Sequence, residues 1–248
     1  MGLKKQRLDL ALVERGLASS REKARALILA ADVTVDGTVE TRAGAPVSPA
    51  AVLAVVAPPR FVSRGGEKLD HALDAFGIDV SGLVVMDVGA STGGFTDCML
   101  QRGATRVYAV DVGYGQLEAR LRADERVVSM ERTNIRDLAS LPERPALATI
   151  DASFISLTTV LPAVIALLTP RADIVALVKP QFEAGRAEVK RGGVVRDPLI
   201  HAAVIGRVAW WCVHHRLRVR GVAMSPLLGP AGNREFFLWL RMDDAEEP

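Results

Sequence analysis

Lys68, Asp151, Lys179 and Glu235 are two amines and two carboxylates set far apart in the chain. Asp151 and Lys179 each close a run of apolar residues, Glu235 opens another, and Lys68 stands in Ser63-Arg64-Gly65-Gly66-Glu67-Lys68 ahead of the first run. Brought together, two opposite-charge pairs offset the cost of partial burial that one isolated charge would carry. A lysine whose pKa is lowered by burial or by a second lysine can accept a proton, with carboxylates to orient it. The matching chemistry is proton removal from a weakly acidic hydroxyl, where positioning and electrostatic help set the rate. Taken singly, Lys68 and Glu235 read as surface charges, because Lys and Glu are mostly exposed. The site reading rests on their convergence.

Asp87, Asp111, Asp151 and Lys179 end four apolar runs, at 83–87, 106–111, 146–151 and 174–179. Ligands of open α/β sheets bind outside the carboxyl ends of the strands, so one shared site explains four polar residues at equivalent ends. After the first run comes Asp87-Val88-Gly89-Ala90-Ser91-Thr92-Gly93-Gly94-Phe95. Its glycines allow close backbone approach to a ligand and a sharp turn into a helix. The spacing is not the G-x-G-x-x-G of dinucleotide sites, and no Gly-Lys-Ser/Thr of a phosphate-binding loop follows.

The elements that must position these residues alternate. Apolar runs, with a further one at 126–130, are separated by helical stretches such as 95–102 and 158–168. That predicts a Rossmann-like, doubly wound α/β sheet with mostly parallel strands. Runs at 218–223 and 235–241, joined by a Pro/Gly loop without a helix, predict an antiparallel C-terminal hairpin. Residues 1–59 read as a separate small α+β module. It has one helix through Leu8, Ala11 and Leu12 ended by Gly16, and a second through Ala24, Leu27 and Ile28 with a Ser19/Glu22 capping box. A hairpin turns at Asp36-Gly37, and a strand follows at 52–56. Residues 60–63 link it to the part from 64 to 248, after the stiff Ala57-Pro58-Pro59.

The chain has 248 residues, 49% hydrophobic and 24% charged, enough for a sizeable core, which excludes wholesale disorder. Lys and Arg number 31 against 29 acids, so nucleic-acid binding would need a local patch. Such a patch exists: Lys4, Lys5, Arg7, Arg21, Lys23 and Arg25 gather at the starts of the first two helices, although an ordinary solvated face is the competing reading. Cys98 and Cys212 form no disulfide framework, and with four scattered histidines they give no metal-ligand spacing. No secretory segment and no run long enough to span a membrane is present, so a cytoplasmic location is expected. Trp210, Trp211 and Trp239 fit apolar patterns and read as core, while Tyr114 and Phe154 either touch a ligand or pack inside.

Several stretches resemble known families. The pattern R-L-D-x-A-L-V-E-R-G-L-A-S-S-R-E-K-A-R from residue 7 to the hairpin resembles the S-four type RNA-binding domain, except that Ala31 stands where that module usually has glycine. D-x-G-x-x-x-G-G-F is similar to motif I of S-adenosylmethionine-dependent methyltransferases. The Lys68, Asp151, Lys179 and Glu235 set resembles the tetrad of FtsJ-like ribose 2′-O-methyltransferases. V-S-R-G-G-E-K-L, D-A-S-F-I-S-L, L-V-K-P-Q-F-E and G-P-A-G-N-R-E-F-F-L-W-L extend the resemblance to the haemolysin A (TlyA) family of rRNA methyltransferases over nearly the whole chain.

That resemblance implies S-adenosyl-L-methionine as cofactor and cytidine 2′-O-methylation of ribosomal RNA, as free RNA or ribosomal subunits, with no metal and no membrane partner. The implied catalytic residues are Lys68, Asp151, Lys179 and Glu235. The implied cofactor contacts are Asp87, Gly89, Ala90, Ser91, Thr92, Gly93, Gly94, Phe95, Asp111, Val112, Asn134, Ile135 and Asp151, with Asp111 on the ribose hydroxyls and the Asn134 segment toward adenine. Expected at RNA are Lys4, Lys5, Arg7, Arg21, Arg25, Arg64, Lys190 and Arg191, the last two in a Gly-rich loop that either closes over phosphates or is a plain turn. A protein that binds the cofactor without catalysis, as an RNA-binding or membrane-active factor, is the alternative.

Overall fold

The computed structural model describes residues 5–56, 60–185, 188–189 and 192–242. Lys4, Lys190 and Arg191, the Ala57-Pro58-Pro59 segment and the acidic stretch from Asp243 lie outside the described residues. The chain divides into two compact units, Met1–Pro59 and Arg60–Pro248.

In the first unit the elements run β1 (Gln6–Arg7), α1 (Leu8–Glu14), α2 (Arg21–Leu29), β2 (Val33–Val35), β3 (Thr38–Val39), β4 (Pro46–Val47) and β5 (Leu53–Val55). β2 pairs antiparallel with β3 and β5, and β1 with β4. Leu8, Leu12, Ala24, Ile28 and Val33 form its core. Asp36 and Gly37 both take positive φ, as a tight β2–β3 turn of right-handed twist demands. The cap of α2 is Ser20 and not Ser19: Ser20 Oγ accepts from Lys23 N at 3.1 Å. Ser20 is the residue in extended backbone one step before the helix, which is what a cap requires. Ala31 takes the left-handed conformation, φ 63°, so the chain keeps the turn that glycine would make at lower strain.

The second unit contains α3 (Arg64–Phe76), β6 (Val84–Val88), α4 (Gly94–Gln101), β7 (Arg106–Val110), α5 (Ala119–Arg122), β8 (Val127–Met130), β9 (Leu147–Ile150), α6 (Leu157–Leu167), β10 (Asp173–Val178), α7 (Pro180–Glu183), α8 (Pro198–His214), β11 (Leu217–Met224) and β12 (Phe236–Met242). They build a seven-stranded sheet in the order β11-β12-β10-β9-β6-β7-β8. β10, β9, β6, β7 and β8 are parallel, and β12 runs antiparallel to both β10 and β11. Helices cover both faces: Leu69 and Leu73 of α3 and Met99 of α4 pack with Val85, Val107 and Val175 on one, while Val160 and Leu161 of α6 and Val204 and Val208 of α8 pack with Met86, Ala148 and Ile174 on the other. Burial on both faces is why the central strands read as unbroken apolar runs. Chain order leads from β6 outward to β7 in one direction and later to β9 in the other, so the crevice of such sheets falls at the carboxyl ends of β6 and β9.

Candidate active site

The sheet brings the four charged residues into two pairs. Asp151 and Lys179 follow β9 and β10, which lie side by side with Ile150 opposite Ala176. β12 pairs with β10 up to Phe236 opposite Val178, so Glu235 and Lys179 are each one residue beyond the last pair. Lys68 Nζ donates to Glu235 Oε2 at 2.6 Å, and both side chains are almost wholly buried. Lys179 Nζ lies 2.6 Å from Asp151 Oδ1 as an ion pair, while its aligned hydrogen bond goes to Ser153 Oγ at 2.8 Å. Asp151 Oδ1 and Glu235 Oε1 are buried without a hydrogen-bond donor among the described residues. Asp151 Oδ1 is the oxygen that faces the Lys179 amine, and Glu235 Oε1 lies against Gly229, where a Cβ would stand 2.4 Å from it.

Lys68 reaches this place because α3 and α4 start in contact. A Cβ on Gly94 would stand 2.2 Å from Ser63 Oγ and 2.9 Å from Gly66 N, so only glycine permits that approach. Gly89, at φ 85°, passes so near Asp151 that a Cβ would meet its carbonyl oxygen at 2.6 Å. The glycine loop and the Asp151 turn are thus packed backbone to backbone.

Two adjoining depressions share Gly89, Ser91 and Asp151. The larger, about 520 Å³, also runs along Asp111, Val112, Asn134, Ile135 and Phe154. The smaller, about 220 Å³, is bounded by Arg64, Lys68, Ala90, Thr92, Gly94 and Phe95. The larger has the size of a small-molecule site. Asp111 is held at its rim by two backbone donors, Ser91 N at 2.8 Å and Gly113 N at 2.6 Å, one to each carboxylate oxygen. Asn134 spends Oδ1 on Arg136 N, capping the 3-10 turn Ile135–Asp137. A depression of about 600 Å³ along α8, lined by Trp210, Trp211 and Gly206, contains none of the strand-end residues.

Two expected contacts do not reach the cleft. Asp87 is fully buried beneath the loop, where it accepts from Thr96 Oγ1 at 2.7 Å and ties β6 to α4. Burial pushes its carboxyl up to about 7, against the lowering effect of the Thr96 bond. Gly93 turns inward at φ 95°, against Leu117 and Leu121. Trp210, expected in the core, is 64% exposed, and Tyr114 and Phe154 are exposed too; Phe154 holds a positive φ of 64° and packs its ring 4.9 Å from that of Phe182.

Three residues that the sequence did not single out organise these regions. Ser153 is the hydrogen-bond partner of Lys179. Glu183 of α7 accepts from Leu157 N and Ser156 Oγ, both at 2.7 Å, and so fastens the loop after β10 to the start of α6. In the first unit, Asp9 has no exposed side-chain surface and accepts from Arg7 at 3.0 and 2.9 Å and from Arg21 at 3.0 Å, with Arg25 at 3.6 Å. The Arg7 bond, ahead of Arg21, holds its carboxyl well below the usual range. Lys5 is exposed and Arg64 lies at the smaller depression. The visible signals were the R-L-D, D-A-S and K-P-Q-F-E strings themselves.

Residues 61–242 match the FtsJ-like methyltransferase family, and residues 6–53 match the S4 domain. The chain belongs to the FtsJ-like methyltransferase family. Within that family it is 49% identical to the 16S/23S rRNA (cytidine-2′-O)-methyltransferase TlyA of Mycobacterium tuberculosis, over 96% of this chain and 90% of the other. It is 39% identical to Hemolysin A of Brachyspira hyodysenteriae, over 93% of this chain and 97% of that one. A solved structure from Streptococcus thermophilus that carries a hemolysin name superposes with a TM-score of 0.75 at 41% identity, covering 98% of this chain and 90% of that one. The family's sheet, with its antiparallel end, is the one described above. Among the described residues no helix is long and apolar enough to cross a membrane.

Proposed function

We propose that this methyltransferase moves a methyl group from S-adenosylmethionine to the ribose 2′-hydroxyl of a cytidine in ribosomal RNA, in the cytoplasm. The first unit, 1–59, docks the RNA, and the part from 64 onward carries the chemistry after the short link at 60–63. The observation that carries the reading is that Asp151, ion-paired with Lys179, lines the same cleft as Asp111.

The residues fit the cofactor. The Gly89–Ser91 backbone leaves room for a close-lying ligand, and Asp111, fixed by two N–H donors, offers its remaining lone pairs to a diol. Val112, Asn134 and Ile135 bound the place for a flat base. When bound, S-adenosylmethionine supplies a methyl group made electrophilic by its sulfonium. Lys179 first gives up one ammonium proton to solvent, and its neutral Nζ then holds the attacking hydroxyl and receives its proton; Asp151 and Ser153 fix the direction of that amine. Lys68 and Glu235 form the second pair and keep the charge of the site balanced. The share of the barrier met by holding the hydroxyl in line falls to the docked RNA and these side chains.

Incubating the chain with methyl-labelled cofactor and separated ribosomal subunits tests the reading. Label in rRNA at one ribose that resists alkaline cleavage is expected. A cofactor that binds while no RNA accepts label would overturn it in favour of a binding protein.

A further inference from the structure

Asp9 is a carboxylate with no exposed surface, ringed by three guanidiniums that are each about half exposed, at 45%, 50% and 54%. One bidentate arginine would satisfy it, and Arg7 already does so through both oxygens. Arg21 and Arg25 lie one turn apart on α2, on the same face, and both turn Nε to Oδ2. Among the described residues, every ion pair of these three arginines is to Asp9. The cluster thus holds three positive charges against one negative. Arg21 engages Asp9 through Nε alone, which leaves both of its Nη groups to another acceptor.

We infer that Asp9 is a positioning residue that sets Arg7, Arg21 and Arg25 as a preformed receptor for a phosphate of the RNA backbone. The inference rests on the reading of the first unit as an RNA-docking module and says how its arginines are made ready. Long arginine side chains lose rotamer freedom when they bind, and a shared anchor imposes that loss during folding instead. The forked geometry of guanidinium lets one edge keep Asp9 while other N–H groups meet phosphate oxygens.

The test turns on a sign. Asp9→Asn adds one unit of positive charge to the protein, so free, independent arginines would bind RNA as well or better. A preformed receptor predicts the opposite: affinity of the full chain for ribosomal subunits falls about tenfold, a coupling of ordinary size for a shared network. The dependence of log K on log salt should also flatten, because an arginine that wanders releases fewer counterions. Arg21→Lys keeps the charge and loses the fork, and should weaken binding similarly while the unit stays folded by circular dichroism. Asp9→Asn in an Arg21→Ala background should add little further loss.

If Arg7→Ala and Arg21→Ala leave affinity unchanged, the docking reading itself fails. If they weaken binding while Asp9→Asn does not, docking stands and the positioning role is overturned. Should Asp9→Asn not fold, Arg21→Lys decides alone, and wild-type affinity for it overturns the proposal.

Discussion

Lys68 Nζ and Glu235 Oε2 stand 2.6 Å apart across 167 positions of sequence, and each is the other's counter-charge in a nearly water-free place. Removing one member leaves an uncompensated buried charge. Glu235→Leu should therefore cost about 3–5 kcal/mol. Lys68→Met added to it should restore most of that stability but no methylation. Urea unfolding of the three proteins measures both, and a single change costing under about 1 kcal/mol would contradict the coupling.

Lys179→Ala should lower methyl transfer by about 10²-fold or more, the usual worth of a positioned proton acceptor. Cofactor affinity by calorimetry should stay within a few fold. Lys179→Arg separates proton acceptance from charge alone, because arginine does not give up its proton. It should be as inactive as the alanine variant, and substantial activity in it would argue that Lys179 acts only as a fixed cation.

Asp87 makes stability depend on pH in an unusual direction. Burial raises its folded pKa to about 7 from an ordinary 3.8, so between these values the folded state binds the extra proton. Its contribution is fully present below the ordinary value and is lost as pH rises through the raised one. Wild-type stability relative to Asp87→Asn should fall between about pH 5 and about pH 8. Parallel unfolding curves at the two values would show that the carboxyl is ionised throughout.

Ala31 occupies left-handed backbone at φ 63°. Ala31→Gly relieves the Cβ contact, and although glycine loses more freedom on folding, the net effect expected at a positive φ is a gain of about 1 kcal/mol. Thermal unfolding should show a rise in Tm, and a fall would mean that the turn tolerates Ala without strain.

Asp151 and Lys179 were legible because strands buried on both faces are unbroken apolar runs, so their last polar residue marks the carboxyl end of the sheet. The meeting of Lys68 with Glu235 was not legible in that way. It depends on two helices touching at Gly66 and Gly94 and on β12 entering the sheet beside β10, and only the resemblance of whole stretches pointed to it. Asp9 escaped because a sum of charges counts an acid as a loss, whereas here it gathers the basic groups. Trp210 misled because α8 carries apolar residues on its outer face as well, including exposed Leu199 and Val213, so a periodic pattern could not tell inside from outside. Asp87 and Gly93 sit within a ligand-like string, but the close turn into α4 directs them into the protein.

β12 is the final strand of the sheet in chain order, yet it lies inside, between β11 and β10. A ribosome making this chain emits β10 with one edge open and Lys68 without its anion, and both wait until β12 has been made. Insertion of β12 between its two neighbours is consequently a late step in the folding of the second unit. A growing chain still tethered short of Glu235 has the cleft loop and Asp111 but not the buried pair, so the arrival of β12 is what closes the sheet.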